Sequence, residues 1–207
     1  MYFLHLFHAG GFMMYPLLLC SIIVVAIFFE RYRYYSSHRS DTERLSAVMT
    51  DSLDRGDIEG LKDALKADGG IPAGVLLSAV NVYGTKAHQA TIIEGAAAHA
   101  AGLLKNYLNY LDVIVTLSPL MGLLGTVIGM IGSFDVLSTA DGQPFAITGG
   151  VAEALVCTAT GLFVAIIALI AYTYLSQQVS HYISSIEKLS SVYPVSYTHL
   201  TLPTTPY

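Results

Sequence analysis

Glu153 is the one ionisable residue placed well inside a long apolar stretch of this 207-residue chain, in Gly150-Val151-Ala152-Glu153-Ala154-Leu155. A carboxylate at such depth costs about 2.5 kcal/mol or more unless it is protonated, paired or facing water, so side chains of this kind mark ion and proton paths. The bland alternative is a neutral acid that hydrogen-bonds a neighbouring helix. Three hydroxyls can share its surroundings. Thr126 lies about eight residues before the end of one apolar stretch and Glu153 about eight after the start of the next, so both sit about 12 Å below the same surface. Thr158 lies about one and a half turns deeper, and Thr160, at seven residues from Glu153, falls on nearly the same helical face. A hydroxyl donates and accepts, as a water or proton path requires, although in membrane helices it often bonds only its own backbone. Glu153, Thr126, Thr158 and Thr160 together form a candidate polar stripe.

The elements that must position this stripe follow from composition. Hydrophobic residues make up 54% of the chain and charged residues 12%, with no Trp; an ordinary soluble domain is about one quarter charged. Apolar runs at Phe12–Phe29, Val113–Phe134 and Phe145–Leu175 contain no Lys or Arg, and each is long enough to cross a hydrocarbon core of about 30 Å. Nine of the ten Lys and Arg residues lie between Arg31 and Lys105 and the last is Lys188, which puts those segments on the cytoplasmic side. Arg31, Arg33 and Arg39 with Tyr32, Tyr34 and Tyr35 read as an interfacial belt on that side. The expected organisation is an all-α integral membrane protein with three transmembrane helices and long cytoplasmic helical extensions. Its parts are an N-terminal interfacial segment 1–11, a first transmembrane helix 12–30, a cytoplasmic helical region 31–107, a second transmembrane helix 108–134 and an outer loop 135–144. A third transmembrane helix 145–175 and a cytoplasmic C-terminal helix 176–192 follow. From residue 193 the text turns abruptly to Pro, Thr and Tyr and resembles translated sequencing-adaptor sequence, so 193–207 is expected to be a non-native tail.

Within 31–107, Leu45, Val48, Leu53, Ile58, Leu61 and Leu65 recur among balanced charges, the pattern of amphipathic helices packed on one another. Asp68-Gly69-Gly70-Ile71-Pro72 breaks the pattern, and Ala-rich sequence from Val75 to Asn109 predicts one helix continuing into the second span. Gly122, Gly125, Gly129 and Gly132 in the second span, and Gly149, Gly150, Ala154, Gly161 and Ala165 in the third, have the spacing that lets helices approach closely. Pro119 in the second span fits only a protein-packed setting. Asp112 reaches the headgroup level at the inner end of that span.

Several classes are excluded. A chain of net charge −5 without a basic stacking platform lacks the footprint for nucleic acid. There is no phosphate-binding glycine loop, paired His, or nucleophile beside a base, so neither an enzyme nor a cofactor or metal site is expected. Leu17-Leu18-Leu19-Cys20 superficially resembles a lipoprotein cleavage site, but no basic region precedes it and the apolar run continues past it. Cys20 and Cys157 therefore read as intramembrane packing residues. Gly10-Gly11 reads as a hinge after a short aromatic segment carrying His5 and His8.

Ser118-Pro119-Leu120-Met121-Gly122-Leu123-Leu124-Gly125-Thr126-Val127-Ile128-Gly129-Met130 resembles the second-span signature of the MotA/TolQ/ExbB proton-channel family. Gly150-Val151-Ala152-Glu153-Ala154-Leu155, with Thr158 and Gly161-Leu162, resembles its third-span signature. Tyr15-Pro16-Leu17-Leu18-Leu19-Cys20-Ser21 and Phe29-Glu30-Arg31 are similar to many ExbB-like members. The resemblance covers roughly residues 1–190. It implies a homopentamer in the bacterial inner membrane, with its N-terminus periplasmic. The second and third helices would line a pore around a dimer of ExbD- or TolR-like single-span partners, which carry the proton-binding Asp. It also implies coupling to a TonB- or TolA-like protein, with Glu153, Thr126 and Thr158 as pore residues. Thr160 departs from the usual aliphatic residue, and Asp112 from a small or apolar one. Two alternatives stand beside this reading: a non-conducting membrane scaffold, and a lone secondary transporter, for which neither internal repeats nor matched broken helices are present.

Overall fold

The computed structural model describes residues 10–82, 86–139 and 145–200, with side chains placed for 10–82, 88–135 and 148–193. His5, His8 and Asp141 lie outside them. The described elements are α1 Met14–Ser37, α2 Thr42–Arg55, α3 Ile58–Asp68, α4 Ile71–Val80, α5 Lys86–Lys105, α6 Leu108–Thr139 and α7 Phe145–Leu200; among the described residues there is no strand. Three stretches are long and apolar enough to cross a membrane, carried by α1, α6 and α7. The all-α reading with three such helices therefore holds. The chain divides into two compact units, 1–30 with 107–175 and 31–106 with 176–207.

The second unit is built by caps and by one apolar face per helix. Asp41 Oδ1 accepts the Arg44 N–H at 3.1 Å and Asp57 Oδ1 accepts the Gly60 N–H at 2.9 Å, each satisfying a donor that the first turn leaves open. Pro72 opens α4, where its missing N–H costs nothing. Neighbours in sequence are neighbours in space: α2 packs on α3, α3 on α4, and α4 on α5. Leu45, Met49 and Leu53 of α2 meet Leu61 and Leu65 of α3, Leu76 and Ala79 of α4, Ile93 and Ala100 of α5, and Ile186, Leu189 and Tyr193 of α7 in one core. The stripe of α2 runs through Met49 at four-residue steps rather than through Val48, and Ile58 is exposed. Tyr193, the first residue of the expected tail, is buried, and α7 is described to Leu200.

Leu76 is 1% exposed at the middle of this core. Leu76→Ala removes three carbons from a site closed by several helices, and an expected loss of about 2–5 kcal/mol follows from the transfer and cavity terms. Thermal unfolding followed by helical ellipticity checks it.

Two expectations are corrected. The Val75–Asn109 stretch is not one helix: α4 ends at Val80, α5 begins at Lys86, and a second break at Asn106–Tyr107 separates α5 from α6. Tyr107 has φ of 66°, a left-handed conformation costing a non-glycine residue about 1–2 kcal/mol, which no helix tolerates in its interior. Nor are all the residues after the first span a belt. Arg31 is 5% exposed, donates from Nη1 to the Leu103 carbonyl at 3.3 Å and stands 5.2 Å from the centre of the Tyr34 ring. Tyr35 is also buried, while Tyr32, Arg33 and Arg39 face outward.

Tyr35 Oη donates to the Leu104 carbonyl at 2.7 Å, and Tyr182 Oη donates to the Tyr35 carbonyl at 2.6 Å. Burial pushes the Tyr182 phenol above its usual range, against a smaller lowering by Arg39. The folded state then holds the proton more tightly than the unfolded chain, so this contribution is complete below about pH 10 and declines as pH rises toward the folded value. Tyr182→Phe is expected to cost about 1 kcal/mol at neutral pH, since the Tyr35 carbonyl keeps the His38 N–H at 3.3 Å. The parent should lose melting temperature more steeply than the variant above pH 10. Parallel slopes would show that Tyr182 does not govern the alkaline limb.

Candidate functional site

In the first unit α6 and α7 run antiparallel with their backbones in contact, and small residues cause this. A Cβ on Gly161 would stand 2.6 Å from the Ser118 carbonyl oxygen and 3.0 Å from the Gly122 Cα. One on Gly122 would meet the Cys157 carbonyl and the Thr158 Cα, each at 3.2 Å, and one on Gly129 would meet the Gly150 carbonyl at 3.0 Å and the Ala154 Cβ at 3.3 Å. Gly125 faces the Cys157 sulfur, and Gly150 faces Ser133, whose hydroxyl donates to the Gly129 carbonyl at 2.8 Å. Ala154, Cys157, Ala165 and Ser118 are all buried, as is Cys20 of α1. Gly132 and Gly149 lie outside the seam, with nothing among the described residues within 4 Å of where a Cβ would be. α6 runs through Pro119 without interruption.

The polar residues sit on and beside this seam. Its register places Thr126 and Glu153 within about one turn of the same level, roughly 5 Å. None of the hydroxyls donates to the carboxyl, because each has one proton and gives it to a backbone carbonyl. Thr158 donates across the seam to Gly122 at 3.1 Å, Thr160 to Val156 of its own helix at 2.8 Å, and Thr126 to Leu123 of its own helix at 2.6 Å. Thr158 thus ties α7 to α6, while each of the three hydroxyls keeps its lone pairs for an incoming donor. Glu153 is half-buried, and its carboxyl lies directly against Gly11, which precedes α1 and has φ of 69°. Gly11 was legible only as a hinge; a contact made 142 residues along the chain leaves no local signal. Asp112 is exposed at the start of α6. Among the described residues, no cluster of His, Cys, Asp and Glu could hold a metal ion.

The outward faces of α6 and α7 carry large apolar side chains in the open, including Leu120, Leu123, Ile131, Leu155, Phe163 and Ile170. Faces of this kind require hydrocarbon or another protein surface. A model of the MotA/TolQ/ExbB proton channel family matches residues 71–188, more than half of the chain. The chain belongs to this family. An ExbB-like biopolymer transport protein of Synechocystis sp. is 35% identical over 167 residues, covering 78% of this chain and 79% of that protein. A second ExbB-like protein of Synechocystis sp. is 29% identical over 196 residues, covering 90% and 77%. The Tol-Pal system protein TolQ of Haemophilus influenzae is 42% identical over 78 residues, which are 37% of this chain and 34% of that protein. The stretch shared with the MotA/TolQ/ExbB model contains α4 to α6 and the part of α7 that bears Glu153, Thr158 and Thr160. The family is one of proton channels rather than enzymes, and this member is a multi-pass membrane protein with three apolar helices.

Proposed function

We propose that this chain is the pore-forming subunit of a proton-driven motor of the ExbB/TolQ type, coupling the proton gradient to TonB- or Tol-type transport or envelope work. The observation that carries the reading is the placement of one carboxyl, Glu153, within a turn of Thr126 beside a glycine seam that fixes both. The assembly is a homopentamer in the bacterial inner membrane. Its second and third spans face a pore holding a dimer of ExbD- or TolR-like single-span chains, and a TonB- or TolA-like protein receives the work. The N-terminus is periplasmic; 31–107 and 176–192 are cytoplasmic, where nine of the ten basic residues or the last of them lie. Glu153, Thr126, Thr158 and Thr160 supply carboxyl and hydroxyl oxygens along the proton path to and from the partner's acid.

One observation favours a second reading, a non-conducting scaffold: all three threonine protons are engaged by backbone carbonyls. Two measurements on the detergent-purified chain, expressed alone and beside a candidate single-span partner, separate the two. The motor reading expects a homopentamer by native mass that retains a partner dimer, and proton entry into vesicles under an imposed gradient only when both are present. An oligomer that captures the partner yet passes no protons supports the scaffold. A monomer that ignores every candidate overturns both.

A further inference from the structure

Glu153 does not lie against a hydroxyl; it lies against the backbone that opens α1. A Cβ built on Gly11 would overlap the Oε1 of Glu153, with Cδ the next atom and Cγ 3.2 Å away. Gly11 also has φ of 69°, where a Cβ is strained whatever the space. Its carbonyl accepts the Met14 N–H at 3.2 Å and so closes the first turn of a 24-residue helix; a helix start carries partial positive charge. One further contact seats this segment on α6, where Met13 lies against Gly125; Gly10 faces a methyl of Val156 and the side chain of Met14 in its own segment. The carboxyl is therefore bounded by the amino end of α1 as well as by its own helix.

We propose that Gly11 is the positioning residue for Glu153: its missing side chain lets the amino end of the first span close over the carboxyl and hold it in one place. This rests on the proton-path reading for its consequence but not for its geometry. Any side chain at position 11 must push the carboxyl off this seat, because the three nearest atoms it meets all belong to the Glu153 side chain. Gly10 differs in kind. A Cβ there meets the Met14 Cγ and Sδ and stands 3.3 Å from a Val156 methyl, so the flexible methionine can turn aside.

The experiment compares Gly11→Ala with Gly10→Ala in the complex assembled with its single-span partner. Proton entry into vesicles should fall about ten- to hundredfold in Gly11→Ala, the cost of misplacing a reacting group by about 1 Å, and stay within about twofold in Gly10→Ala. In a Glu153→Asp background, whose carboxyl is one methylene shorter, Gly11→Ala should cause little further loss. Equal losses in both backgrounds would reduce Gly11 to a turn residue, and an unaffected Gly11→Ala would overturn the proposal. A second readout is independent of conduction. The carboxyl infrared band assigned by its disappearance in Glu153→Gln should shift in Gly11→Ala and not in Gly10→Ala; an unmoved band in Gly11→Ala overturns the seat even where flux changes. If Glu153→Gln conducts normally while the band shifts, the seat stands and the proton-path reading is what fails.

Discussion

Glu153→Gln abolishes gradient-driven work while leaving the oligomer and its partner intact. Glutamine has nearly the same volume as glutamate and keeps hydrogen-bonding capacity, so the seam of Gly122, Gly125, Gly129, Gly150 and Gly161 is not disturbed. The one property removed is the ability to carry a negative charge and to take up and release a proton. Proton relays lose about a hundredfold or more when the exchanging group is replaced, and the other described carboxyls of these spans, Glu30 and Asp112, stand at their ends rather than at the depth of Glu153. Proton entry into vesicles and native mass are measured on the same preparation. Normal entry with normal mass sinks the proton-path role and leaves Glu153 as a packing hydrogen bond.

Gly161→Val separates α6 from α7. The obstacle is backbone, not side chain: the Ser118 carbonyl oxygen stands 2.6 Å and the Gly122 Cα 3.0 Å from the position of the new Cβ. No rotamer change relieves either contact, so the helices move apart along their length. The expected cost is about 3 kcal/mol, the upper end for inserting carbon into a packed interface. Two signals follow, a lower melting temperature and the appearance of reactive thiol, because Cys157 is fully buried against Gly125 in the parent and Cys20 is buried as well. Gly132→Ala is the matched control. Its new carbon meets nothing among the described residues, so it is expected to be neutral within this chain; a changed native mass in that variant alone would place Gly132 against a second copy.

The three apolar helices were legible because a membrane demands about 20 apolar residues in a row, a signal that no local accident imitates. The close approach of the second and third spans was legible for a related reason: Gly122, Gly125 and Gly129 share one helical face, and that face is the one in contact. Gly132 obeys the same spacing yet is exposed, since at its level no described residue of α7 comes within 4 Å of where its Cβ would be. The break at Asn106–Tyr107 had no chance of being read. Leu103, Leu104 and Leu108 on either side favour helix, yet Tyr107 takes a positive φ. The threonines were candidates by residue type, but backbone carbonyls take their protons, those of their own helix for Thr126 and Thr160 and the Gly122 carbonyl of α6 for Thr158, a competition that residue type alone does not decide. The contact between Gly11 and Glu153, and the pairing of Tyr35 with Tyr182, join segments more than 140 residues apart, and periodicity carries no information at that range.

The seam between α6 and α7 sets the mechanics of whatever these helices do. Packed helices slide past one another when interlocking side chains can switch rotamers, the small shear steps by which many proteins change shape. Where glycine lies on carbonyl oxygen there are no rotamers to switch, and friction between the two rods is that of backbone on backbone. The hairpin must therefore travel as one stiff lever, and any displacement that tilts Glu153 carries Thr126 with it at a fixed offset.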